Sequence, residues 1–174
     1  MNQALGELER AGDAWRVRYT RALAHRPEMV WTALTDPDQV KEWFPTNIEG
    51  SWSPGSKLRF VFREGEGPDF DGEVLACEPP SLLEFRWGDE TLRFALRPDG
   101  DGTLMELLVT FEEVGKAARD GAGWHQCLDR LARELDGAPP PAGDKDDWKR
   151  LWQLYRERFG PEAAAIGPPE RMAD

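Results

Sequence analysis

Few residues in this chain have the type and spacing that chemistry needs. There are two histidines and two cysteines in 174 residues. His125 follows Trp124 in a helical stretch, with Asp129 one turn on. A general base at that place is conceivable, although a solvated helix-edge histidine is the plainer expectation. His25 precedes Arg26-Pro27 at a strand end and reads as superficial. No Cys/His pair has metal-ligand spacing, so no metal or cofactor is expected. Cys127 reads as a small buried hydrophobe, and Cys77 has no surroundings that would activate a thiol. There is no Gly-x-Ser-x-Gly elbow. Gly65-Glu66-Gly67 runs into proline and acid, which would repel a phosphate. Glu84, Arg86 and Glu106 fall by alternation on the outer face of strands, where they are ordinary cross-strand charges.

The aromatic residues say more. The chain has eight tryptophans and eight phenylalanines, a wealth that suits thick packing or a lined pocket. The candidate ligand-binding set is Trp43, Phe60, Phe62, Phe70, Phe85, Trp87, Phe94, Met105, Leu107, Trp124 and Leu128. Such a lining, apolar with few polar groups, is the usual form of a small-molecule site. The plainer alternative for each side chain is packing at interior density.

Two short helices over Pro27–Pro45 organise the remainder of the chain. Val30, Trp31 and Leu34 make one apolar stripe, and Thr35-Asp36-Pro37 ends it because the residue before proline leaves the α region. Asp36 then caps a second helix with Pro37 in its first turn, and Val40, Trp43 and Phe44 are its buried side. Helices this short need an apolar surface beneath them. Alternating strands supply it: Trp15–Ala24 before the pair; Asn47–Trp52, Lys57–Glu64, Phe70–Cys77, Ser81–Trp87, Glu90–Arg97 and Thr103–Val114 after it. Gly88-Asp89 predicts a hairpin, and the meander implies an antiparallel sheet with one buried face. Arg119–Asp136 is the long helix, with Trp124, Cys127, Leu128, Leu131 and Leu135 on one stripe and Gly137 as its C-terminal glycine. Beyond Pro139-Pro140-Pro141, Trp148, Leu151, Trp152, Tyr155 and Phe159 form a further stripe that will not stay in water.

The segment VWTALTDPDQVKEWFP, with Trp52–Leu58 and Gly123–Leu131, resembles the START-like (SRPBCC, Bet v 1-like helix-grip) superfamily. Within it the chain is similar to the group named for the activator of the heat-shock-protein-90 ATPase. The resemblance covers roughly Trp15 to Leu135 and implies an α+β fold: a curved antiparallel sheet gripping a long C-terminal helix, with a two-helix insertion after the first strand. An extra C-terminal helix is added here. It also implies a cavity between sheet and long helix. The expected organisation is a flexible leader over residues 1–13, a helix-grip domain over 14–137, and a proline-rich linker with an amphipathic helix over 138–174. That helix packs on its own domain or, through Trp148, Trp152 and Tyr155, on a second copy in a homodimer.

The net charge of −11 argues against nucleic acid, whose binding rests on Lys and Arg at phosphates, and against an anionic membrane surface. No run has the length of a membrane span, and Met1–Arg10 has no signal-peptide core. The expectation is a cytoplasmic protein with free thiols. Its function is read as non-catalytic binding of a hydrophobic or aromatic small molecule. The alternatives are a polyketide cyclase or aromatase-like enzyme, which needs an acid–base group facing the pocket, and a chaperone-interacting module.

Overall fold

The computed structural model describes residues 4–139 and 143–169. Pro140 and Pro141 of the linker, and the tail from residue 170, lie outside the described residues. The chain runs β1 (Glu7–Ala11), β2 (Ala14–Leu23), α1 (Pro27–Thr35), α2 (Pro37–Trp43), β3 (Asn47–Gly50), β4 (Lys57–Val61), β5 (Phe70–Glu78), β6 (Leu82–Trp87), β7 (Glu90–Asp99), β8 (Gly102–Phe111), α3 (Ala117–Asp136) and α4 (Asp144–Phe159). The strands form one curved sheet in the order β1-β2-β8-β7-β6-β5-β4-β3, and every pairing is antiparallel. This is the expected α+β helix-grip fold.

The expectation of a flexible leader is corrected over residues 7–11. Glu7–Ala11 is a strand, joined to β2 through Gly12-Asp13, with Gly12 at φ +63°. Glu7 faces Arg18 and Glu9 faces Arg16 across the ladder, and the Glu9 carboxylate lies 2.8 Å from Arg16 and 2.9 Å from Arg18. Opposed charges supply the side-chain pairing that apolar residues supply elsewhere in the sheet.

Punctuation between α1 and α2 works as the residues dictate. The Asp36 side chain accepts from the Asp38 backbone N–H at 2.9 Å, and Pro37 occupies the first helical position. Trp43 then ties the pair together by donating its indole N–H to the Ala33 carbonyl at 2.8 Å. β5 carries an irregularity between Val74 and Ala76. It leaves Leu75 38% exposed, which is why the alternation of this strand is weak in the sequence.

The inner face of the sheet meets α3. Tyr19 of β2 donates its hydroxyl to the Gly121 carbonyl at 2.8 Å. Gly121 has no side chain for a reason: a Cβ there would come within 3.1 Å of the Tyr155 ring, so its absence lets α4 lie close. α4 packs on α3 with Trp148, Leu151 and Tyr155 all buried. Trp148 and Tyr155, the expected dimer contacts, are thus covered within their own chain. Trp152 stays partly exposed, with the Arg156 guanidinium 4.6 Å from its ring centre.

Candidate functional site

A cleft of about 1010 Å³ opens where the β6–β7 hairpin, the loop after β4 and the first turns of α3 and α4 converge. Gly88 (φ +63°) and Asp89 reverse the chain in two residues. Trp87 and Glu90 therefore stand directly opposite each other at the end of the hairpin. One wall is aromatic: Phe62, Phe70, Trp87 and Trp124. Trp87 meets Trp124 edge to face at 5.1 Å and Phe70 at 5.2 Å, and Phe62 reaches Phe70 at 5.9 Å. Such pairs add to the stability of plain burial, so this wall is fixed in place before any ligand arrives.

The other wall is charged and balanced. Glu66, Asp89, Glu90, Asp120 and Asp144 line it together with Arg63, Lys116, Arg119, Arg130 and Lys145. Lys116 Nζ lies 2.7 Å from Glu90 Oε1 and 3.7 Å from Asp120 Oδ2. Arg119 holds the other Asp120 oxygen at 3.0 Å, and Arg130 pairs with Asp144. Glu90 is only 6% exposed. Burial, together with the Asp120 carboxyl beside it, raises its pKa to about 7, against the opposing pull of Lys116. Glu90 therefore holds a proton more readily than an ordinary carboxyl while sitting next to a second one, an arrangement able to hold or release a proton. Three polar atoms of the lining, Trp87 Nε1, Glu90 Oε2 and Asp144 Oδ1, are buried with no hydrogen-bond partner.

Residues 24–136 match the family described as "Activator of Hsp90 ATPase homolog 1-like protein". The chain belongs to this family. No curated protein matches it in sequence. Among solved structures it is similar to the conserved protein of unknown function EF2215 from Enterococcus faecalis, at 21% identity over 88% of this chain and 90% of that one, with a TM-score of 0.74. CalU16 from Micromonospora echinospora shares 23% identity over 90% and 96% of the two chains, TM-score 0.69. MLL2253 from Mesorhizobium loti shares 26% over 71% and 98%, TM-score 0.61. These likenesses carry the fold; none of the three names states a ligand.

Within this family member, the expected ligand-binding set divides in two. Phe62, Phe70, Trp87 and Trp124 line the cleft. Trp43, Phe60, Phe85, Phe94, Met105, Leu107 and Leu128 do not: each is at most 2% exposed and packs in the main core. Phe44, left out of the expected set, stands at the join, with its ring 6.5 Å or less from those of Phe60, Phe85, Trp87 and Trp124.

His125 is a second correction. It is 3% exposed rather than solvated, because α4 covers that edge of α3, and its Nδ1 lies 2.8 Å from the Tyr155 hydroxyl. Gly6 donates its backbone N–H to the same hydroxyl at 2.7 Å. The tyrosine proton is then free to go to Nδ1, which makes Nδ1 the acceptor and Nε2 the protonated nitrogen. Burial, aided by Arg21 and Arg150, lowers the His125 pKa to about 4. His25, by contrast, is half-buried and lies 2.8 Å from Asp136. Neither histidine lines the cleft.

Glu84 and Glu106 stand on the outer face as expected, near Arg93 and Arg18 respectively. Neither Cys77 nor Cys127 is in a disulfide. Among the described residues, no group of three or more His, Cys, Asp or Glu stands together as metal ligands do, and no helix is long and apolar enough to cross a membrane. Sequence reasoning missed Glu90 and Lys116. The signal was there for Glu90: it precedes Leu92 by one strand period and Phe94 by two and so shares their inward face.

Proposed function

We propose that the cleft binds a small molecule whose apolar, aromatic part lies against Phe62, Phe70, Trp87 and Trp124, and that this binding is itself the function, carried out in the cytoplasm. One observation carries the reading. The aromatic core of the domain continues outward to these four rings and ends in a cleft large enough for a drug-sized ligand. Apolar surface covered there contributes about 25 cal/mol per Å². Native mass spectrometry of the purified protein is the direct test. A retained non-protein mass, or saturable shifts of the Trp87 and Trp124 indole resonances on titration with naphthol, is the expected result. Neither appearing, in wild type, would remove the reading.

A second reading is an enzyme similar to the polyketide cyclases. What favours it is Glu90 beside Asp120 on the cleft wall, an acid–base group of the kind such chemistry needs. Turnover of a cyclisable polyketide, abolished in Glu90→Gln, would decide for it. The family description supports a third, a chaperone-related role, which a titration with the heat-shock-protein-90 chaperone showing no contact would dispose of.

A further inference from the structure

Trp87 and Glu90 close the β6–β7 hairpin as directly opposed residues, so their side chains leave the same face of the sheet roughly 5 Å apart. Both line the cleft. Each carries a buried polar atom without a partner, Nε1 of Trp87 and Oε2 of Glu90, where folded proteins leave very few such atoms unpaired. The second Glu90 oxygen is already taken by Lys116 at 2.7 Å. What remains is an indole N–H that can only donate and, on the opposed residue, a carboxyl oxygen that accepts when Glu90 is ionised.

A single ligand atom satisfies both when it accepts and donates together, as a hydroxyl oxygen does. The acids and bases of the cleft balance, so an ionised ligand finds no net field to favour it. A ligand carboxylate would also meet Glu90 and Asp120 at close range. We infer that the cleft recognises a neutral hydroxylated aromatic compound, whose hydroxyl accepts from Trp87 Nε1 and donates to Glu90 Oε2 while its ring lies against Trp124 and Phe70. This deepens, and rests on, the reading of the cleft as a small-molecule site. Both atoms are buried, so the ligand reaches them after a side-chain rotation of the kind common at interfaces.

The experiment compares naphthol, naphthalene and naphthyl methyl ether as probes in NMR titrations of the full chain. Wild type is expected to bind naphthol about tenfold more tightly than either of the others, the scale of one well-made hydrogen-bond pair. Trp87→Phe keeps an aromatic ring and loses the N–H. It is expected to reduce the preference for naphthol over naphthalene, each affinity measured on the same variant, to about twofold or less, and Glu90→Leu is expected to do the same. Equal affinities for the three probes in wild type, or a preference that survives Trp87→Phe, would overturn the hydroxyl assignment alone. Failure of all three to bind would sink it together with the binding reading of the cleft. Thermal melts accompany each variant, and if Glu90→Leu does not fold, Trp87→Phe decides.

Discussion

His125 Nδ1 and the Tyr155 hydroxyl lie 2.8 Å apart between α3 and α4, and the same hydroxyl receives the Gly6 backbone N–H. One side chain of the last helix thus satisfies a buried ring nitrogen and a buried amide at once.

Tyr155→Phe removes the oxygen and leaves both groups unpaired in the interior. The expected loss is about 1–3 kcal/mol of unfolding free energy, the cost of stranding buried polar groups. Urea denaturation measures it; an unchanged midpoint would show that the hydroxyl does not bear on stability.

Acid should weaken the fold through His125. Its folded pKa of about 4 lies below the ordinary value of about 6.5. As pH falls through that window the unfolded chain binds a proton first, so stability declines with falling pH and the decline levels off below about 4. The full effect is on the order of 3 kcal/mol. His125→Gln, followed by denaturation at several pH values, should show a flatter profile between those limits than wild type.

Glu90 works in the opposite direction. Its folded pKa is raised to about 7, so between about 4.5 and 7 the native state holds the proton more tightly than the unfolded one. Stability from this group is present at low pH and is lost as pH rises. Glu90→Gln should remove that loss and gain stability relative to wild type as pH rises from about 4.5 to about 7, levelling off above, readable as a change in the difference between their melting temperatures.

Trp124 joins the core to the cleft, being 4% exposed and in edge contact with Phe44 and Trp87. Trp124→Ala is expected to cost about 3–5 kcal/mol. Near-wild-type melting of that variant would remove this residue from the core.

Gly72 is enclosed on β5. A Cβ there would meet the Arg86 carbonyl at 2.1 Å and the Phe60 ring at 2.5 Å. Gly72→Ala is expected to destabilise by about 1–3 kcal/mol through overpacking, and a melt no lower than wild type would refute the clash.

Local chemistry made most of the fold readable. Asp36-Pro37 ends one helix and starts the next without help from distant residues, and Leu92, Phe94 and Leu96 declare their face by alternation alone. β1 escaped because its side-chain pairing to β2 is ionic, from Glu9 to Arg16 and Arg18, and so charged a stretch reads as solvated chain. Alternation also tells which face a side chain takes but not how far along the sheet it lies. Phe60 and Phe70 are paired across β4 and β5, yet Phe60 is fully covered and Phe70 stands at the cleft. The burial of His125 is not legible in α3 because its environment is made by α4, thirty residues on, and no helical wheel of α3 contains that helix.

The Gly6–Tyr155 hydrogen bond spans 149 positions of the chain, which turns the polypeptide into a ring held by a non-covalent clasp. A molecule stretched from its two termini would feel the load at that clasp before the ladder of the sheet, and α4 would peel away first. In a single-molecule pulling trace this appears as a short, weak step preceding the main rupture, and Tyr155→Phe should lower its force.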